Sequence, residues 1–152
     1  MPFFDEKYLF SPGNTIGQEI YTKICTLPII DAHNHANIKE IRENQCYTDI
    51  WQVEGATDHY VWELMRKRGI DEFYITGRAS NKEKWITLAS VFESFVGNPV
   101  YEWIHLDLQR RLGITDRISG ETAQSIWDQA KSRLQTPTMR PQSILKDMKV
   151  EI

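Results

Sequence analysis

Cysteine is scarce in this chain: Cys25 and Cys46 are the only two in 152 residues, and they form no CxxC pair. That spacing gives neither a zinc knuckle nor a disulfide framework, so both are read as reduced thiols, buried or incidental. An excess of charge of one sign is lacking too. Eighteen Lys and Arg stand against 21 Asp and Glu, a formal net charge of −3 with the signs interspersed. No basic stripe is left for nucleic acid or for an anionic membrane surface. No run approaches the roughly 18 apolar residues that a membrane span needs. The opening MPFFDEKYLF has neither the basic start nor the apolar stretch of a secretory signal. A cytoplasmic protein is the expectation, with neither nucleic acid nor membrane as partner.

What is there is ordinary for a folded domain. Apolar residues make up 41% and charged residues 26%, with five tryptophans, enough to bury a sizeable core in one domain. Internal repeats, low-complexity tracts and Gly/Ser linkers are missing.

Most of the chain reads as helix. Asn14 caps a helix with Ile16, Ile20, Tyr21 and Ile24 at helical spacing, ending before Pro28. Leu27 to Ile30, brief and β-branched, is the early candidate for a buried strand. Ile38 to Glu43 forms one or two helical turns, and Thr57 caps a helix through Val61, Trp62, Leu64 and Met65 to Gly69. Ser80 to Glu83 is a capping box opening a helix with Trp85, Leu88, Phe92 and Phe95 on one face, closed by Gly97. Asn98 and Pro99 start the next, with Val100, Trp103, Ile104, Leu108 and Leu112 inward and Gly113 at its end. Ser119 precedes a stripe of Ala123, Ile126, Trp127, Ala130 and Leu134, and Thr136-Pro137-Thr138 breaks it. The tryptophan and phenylalanine stripes are read as core. A short helix from Pro141 to Asp147 leads into Met148 to Ile152, which alternates like a strand and has the run 27–30 as its candidate partner. Two short strands make a poor sheet by themselves, so the sequence looks like part of a larger fold.

Residues 28–37, PIIDAHNHAN, carry the chemistry. Alternate side chains of a strand face the same way, so His33 and His35 project together from its end, a geometry a metal ion can use. The bland reading is that the two rings cap the strand and bond to nearby backbone; the spacing is suggestive and not specific. Asp31 either orients a ligand histidine or caps the strand end. A catalytic zinc takes about three protein ligands, and this strand end supplies two. His59 and His105 are the other histidines. His105 lies mid-helix among apolar residues and is read as packed in the core. His59 stands in a first helical turn beside Asp58 and Tyr60, where a helix N-terminus favours a carboxylate or oxyanion.

PIIDAHNHAN also resembles the first-strand metal motif of the amidohydrolase superfamily. The stretches FDEKYLF, DIW, DHYVWELMRKRGI, YITG, NKEKW, VGNPVYEWIHLDLQRR, ETAQSIWDQA and ILKDMKVEI are similar to the uronate isomerases in particular. The match spans nearly the whole chain, and its tryptophan-rich pieces are far more specific than the histidine pair. Ala36 departs from the leucine expected after the second histidine.

The resemblance implies a metal-dependent (β/α)8 TIM-barrel enzyme that isomerises D-glucuronate to D-fructuronate, and D-galacturonate to D-tagaturonate, through a cis-enediol. It makes His33 and His35 ligands of a divalent ion, zinc first among the candidates. Tyr60 becomes the catalytic proton shuttle at the substrate, and His59 helps to place the sugar. The partner is a small-molecule uronate, and a homo-oligomer is compatible with it. Residues 27–35 become the first barrel strand, 38–147 a helical insertion and 148–152 the start of the second strand. Such a barrel needs about 250 residues. The family's remaining metal ligand, an aspartate, and its carboxylate-binding arginines have no counterpart here. The chain therefore resembles the N-terminal third of such an enzyme, mostly α in itself, and alone is expected to bind metal weakly and turn over little. Two other readings stay open: another metal-dependent amidohydrolase, acting on a C–N or ester bond, and a non-catalytic helical module that binds a partner through aromatic faces.

Overall fold

Side-chain caps open six of the described α-helices. A computed structural model describes residues 13–34 and 36–151. These divide into two compact units, one of residues 47–136 and one of 13–46 with 137–151.

The second of these holds the strands. Asn14 accepts the backbone N–H of Gly17 at 2.9 Å and opens α1, Thr15–Ile24. Strand β1 is Ile29–Ile30 and α2 is Ile38–Glu43, capped by Asn37. Far along the chain α8, Pro141–Asp147, leads into β2, Val150–Glu151, which pairs in parallel with β1 in the register Ile29 to Val150. The pairing is extended at one end by the Ile29 N–H to the Lys149 carbonyl, 2.8 Å, and by Lys149 Nζ to the Thr26 carbonyl, 2.9 Å. Gln142 ties α8 to α2, donating from its backbone to Asn44 Oδ1 at 3.1 Å and from Nε2 to the Ile41 carbonyl at 2.9 Å.

One expectation fails in this unit. The strand is paired as expected but it is not buried: Ile30 is 82% exposed, and the α1 stripe is open as well, with Ile16 at 70%. Parallel strands are normally covered on both faces. Among the described residues of this unit only Pro141 is buried. Of the two readings of the cysteines, burial is not met: Cys25 is exposed and Cys46 half-buried, neither in a disulfide.

Residues 47–136 form an all-helical unit with a dense core. Its helices are α3, Ile50–Glu54; α4, His59–Lys67; α5, Asn81–Phe92; α6, Pro99–Leu112; and α7, Ala123–Leu134. α5 packs against both α3 and α7, and α6 packs against α7. Trp51, Trp85, Phe92, Leu88, Leu108 and Ile126 are all but fully buried, each side chain contributing about 1.5–3 kcal/mol. The Trp85 indole N–H donates to the Ala123 carbonyl at 2.9 Å and satisfies its one polar group inside the core.

The caps are mostly those expected. Ser80 and Glu83 form a complete capping box, Asn98 accepts from Val100 N at 3.0 Å, and Gly113 ends α6 with φ +58°, where a Cβ is strained. Three details differ. Asp58, not Thr57, caps α4, because its carboxylate reaches two N–H groups of the first turn. Trp103 is 55% exposed, since α6 buries Tyr101 and His105 beside Val100, Ile104, Leu108 and Leu112 and turns position 103 outward. The short helix α3, absent from the expectations, buries Ile50 and Trp51.

Candidate functional site

Beyond β1 the backbone is turned by three side chains in succession. Asp31 Oδ1 accepts the N–H of His33 at 3.3 Å, Asn34 Oδ1 that of Ala36 at 3.0 Å, and Asn37 Oδ1 those of Lys39 and Glu40 at 3.0 and 3.4 Å. Asx turns of this kind give the chain a local alternative to continuing the strand. β1 therefore stops at Ile30 and His33 stands on a turn, exposed. His35 lies outside the described residues.

An exposed imidazole between the small residues Ala32 and Asn34 has the chemistry of a ligand for a divalent ion. Among the described residues no group of three or more His, Cys, Asp or Glu is arranged to hold a metal.

His59 and Tyr60 belong to the helical unit and are brought together there. They are the first two residues of α4, both exposed, with ring centroids 4.2 Å apart and planes tilted by 33°. Asp58 Oδ1 accepts the N–H groups of Tyr60 at 2.8 Å and Val61 at 3.4 Å. The leading donors of this helix are thus met by a carboxylate of the chain itself, which opposes rather than invites an anion there.

His105 is in the core, as expected. It is 3% exposed, and burial, followed by the effect of Arg117 against the opposing Tyr101 carbonyl, holds its pKa below the ordinary value. A residue that sequence reasoning missed is Glu54, buried at the end of α3, where desolvation first, then Asp107 and Asp58, push its carboxyl well above the usual range. Asp107 is itself raised by burial, against the pull of Arg111 and Arg110. A glutamate in a five-residue helix carries no pattern signal for burial. Asp58 did carry one: it is a cap-type residue next to the first helical position.

The family model described as glucuronate isomerase matches residues 1–152. The chain belongs to the glucuronate isomerase family. The uronate isomerase of Thermotoga petrophila is 57% identical to it over 150 residues, covering 99% of this chain and 32% of that protein. The Latilactobacillus sakei uronate isomerase is 40% identical over 157 residues, covering 100% and 33%. The crystal structure of uronate isomerase from Thermotoga maritima superposes with a TM-score of 0.92 at 56% identity, over 99% of this chain and 33% of that one. Glucuronate isomerase from Caulobacter crescentus superposes with a TM-score of 0.90 at 23% identity, over 99% and 34%, and shows the shared fold alone. The chain spans about a third of the length of the curated glucuronate isomerase family members it matches. No described helix is long and apolar enough to cross a membrane.

Proposed function

We propose that these 152 residues are the N-terminal third of a uronate isomerase that converts D-glucuronate to D-fructuronate, and D-galacturonate to D-tagaturonate, in the cytoplasm. The observation that carries this is the family match along the whole chain, at 57% identity to a uronate isomerase. The parent fold in this proposal is a (β/α)8 barrel. Residues 27–35 supply its first strand, 38–147 a helical insertion and 148–152 the start of its second strand. The parallel pairing of β1 with β2, and the open apolar faces of Ile29 and Ile30, support this, because such strands require further layers.

In the proposed site His33 and His35 hold a divalent ion, zinc first. When bound, the ion would polarise the substrate oxygens and offset the charge that develops on them. Tyr60, whose hydroxyl both donates and accepts, passes a proton between the oxygens on C1 and C2 as the cis-enediol forms. His59, whose ring lies beside that of Tyr60, places the sugar. The base that carries the carbon-bound proton from C2 to C1 and the cations that hold the uronate carboxylate are contributions we assign to the rest of the protein. The 152 residues alone are then without turnover.

The test uses the full-length polypeptide that contains this chain. D-glucuronate should be converted to its keto isomer, and metal analysis should find a divalent ion that His33→Ala and His35→Ala deplete. Full activity and full metal content in both variants would sink the site. Hydrolysis of an amide or ester substrate, with no action on uronates, would move the protein to the amidohydrolase alternative.

A further inference from the structure

We infer that Asp58 is a positioning residue for Tyr60, an assignment that rests on the isomerase reading above. α4 is anchored through positions that follow its first two residues. Val61 and Met65 are fully buried, and the Trp62 indole N–H donates to the Gly55 carbonyl at 2.6 Å. His59 and Tyr60 precede these anchors and point to solvent, Tyr60 being half exposed. The link between the anchored body of the helix and this outward turn is the Asp58 carboxylate. One of its oxygens bonds both the Tyr60 and Val61 amides, at 2.8 and 3.4 Å, and so ties the exposed residue to its buried neighbour. The Asp58 carbonyl closes the same turn by accepting the Trp62 N–H at 3.2 Å.

Loss of the side-chain cap frees the first turn to unwind, because an uncapped helix end leaves its leading N–H groups to water. The Tyr60 hydroxyl sits at the end of a long lever, so a small change in φ and ψ at positions 59 and 60 moves it by an ångström or more. The neighbouring His59 ring, 4.2 Å away between centroids, moves with it. Misplacement of a catalytic group on that scale costs on the order of 10²-fold in rate. The Asp58 side chain is turned to the backbone, and in this assignment it acts through Tyr60.

The experiment compares Asp58→Ala, Asp58→Ser, Asp58→Asn and Ser80→Ala in the full-length protein with D-glucuronate. Ser80 also caps its helix, α5, through its side chain and lies outside the proposed catalytic turn, so it reports what a lost cap does to stability alone. Asp58→Ala and Ser80→Ala are expected to lower the melting temperature by similar amounts. Asp58→Ala should lower kcat by about tenfold or more, with a smaller change in KM. Ser80→Ala should keep the parental kcat. Asp58→Ser and Asp58→Asn, which also accept from the first-turn amides, should recover kcat to within about threefold. Three results overturn the assignment: parental kcat in Asp58→Ala, an equal loss of kcat in Ser80→Ala, or Asp58→Ser and Asp58→Asn as impaired as Asp58→Ala. A parent protein with no turnover of any uronate overturns the isomerase reading instead, and with it this role.

Discussion

The backbone N–H of Ile118 donates to Nε2 of His105 across 2.9 Å, while Nδ1 of the same ring donates to the Tyr101 carbonyl at 2.7 Å. An amide only donates, so Nε2 must be unprotonated and the ring neutral. One histidine thereby fixes the residues after α6 against the helix that precedes them, in a site that admits no second proton.

Acid should release that arrangement. The folded pKa of His105 lies below that of the unfolded chain, so the unfolded state binds the proton more readily. The stabilisation is complete above the unfolded value of about 6.5 and is lost as pH falls through the folded one. Melting temperature should drop between pH 7.5 and pH 5 in the parent and less steeply in His105→Gln. Equal slopes in the two proteins would contradict the assignment.

Glu54 has the opposite sign. Its folded pKa is raised, chiefly by burial and further by Asp107 and Asp58, so the folded state holds the proton longer than the unfolded chain does. Stability from this group is present below the unfolded carboxyl value and is lost as pH rises through the folded one. Glu54→Gln should therefore melt higher than the parent at pH 8, with the difference closing toward pH 4.5. A variant that melts lower at pH 8 would show that the ionised group has a compensating partner.

Trp85→Phe tests the centre of the helical core. The change removes a buried indole and its bond to the Ala123 carbonyl, so urea unfolding should show a loss of about 2–4 kcal/mol. A loss below ~1 kcal/mol would mean that neighbouring side chains refill the space.

Tyr60→Phe should separate catalysis from folding. Tyr60 is half exposed, so its melting temperature should match the parent's, while kcat of the full-length protein on D-glucuronate should fall by roughly 10²- to 10⁴-fold. Retention of kcat would remove Tyr60 from the proton path.

Features encoded in consecutive residues could be read from the sequence. The Ser80 to Glu83 box, the Asn98-Pro99 start and the Gly113 stop are local chemistry, and each stands where it was expected. The pairing of the two strands was also foreseen, since each lacked any other partner. What failed depends on neighbours distant in sequence. Ile29 and Ile30 look like buried strand residues by composition, yet burial requires layers beyond the pair. Trp103 is one position off the α6 stripe, and Thr57 and Asp58 are adjacent residues of which only the second reaches the first-turn amides. α3 spans five residues, too few to show a period. At the candidate site motif and resemblance single out His33, His59 and Tyr60, and all three are exposed, the last two with ring centroids 4.2 Å apart. The Asx turn at Asp31 and the buried Glu54 were not legible in the sequence, because both are set by backbone direction and tertiary contact.

The pairing of Ile29 with Val150 also orders events in time. Residues 47–136 all lie between these partners, so a growing polypeptide makes β1 long before Val150 exists for it to pair with. Closing so long a loop is entropically unfavourable until the intervening chain has been drawn in. The helices, whose caps and core lie within their own segment, can form first and shorten the gap. The strand pair is then a late event, completed when Lys149, in its left-handed conformation, turns the end of α8 into register.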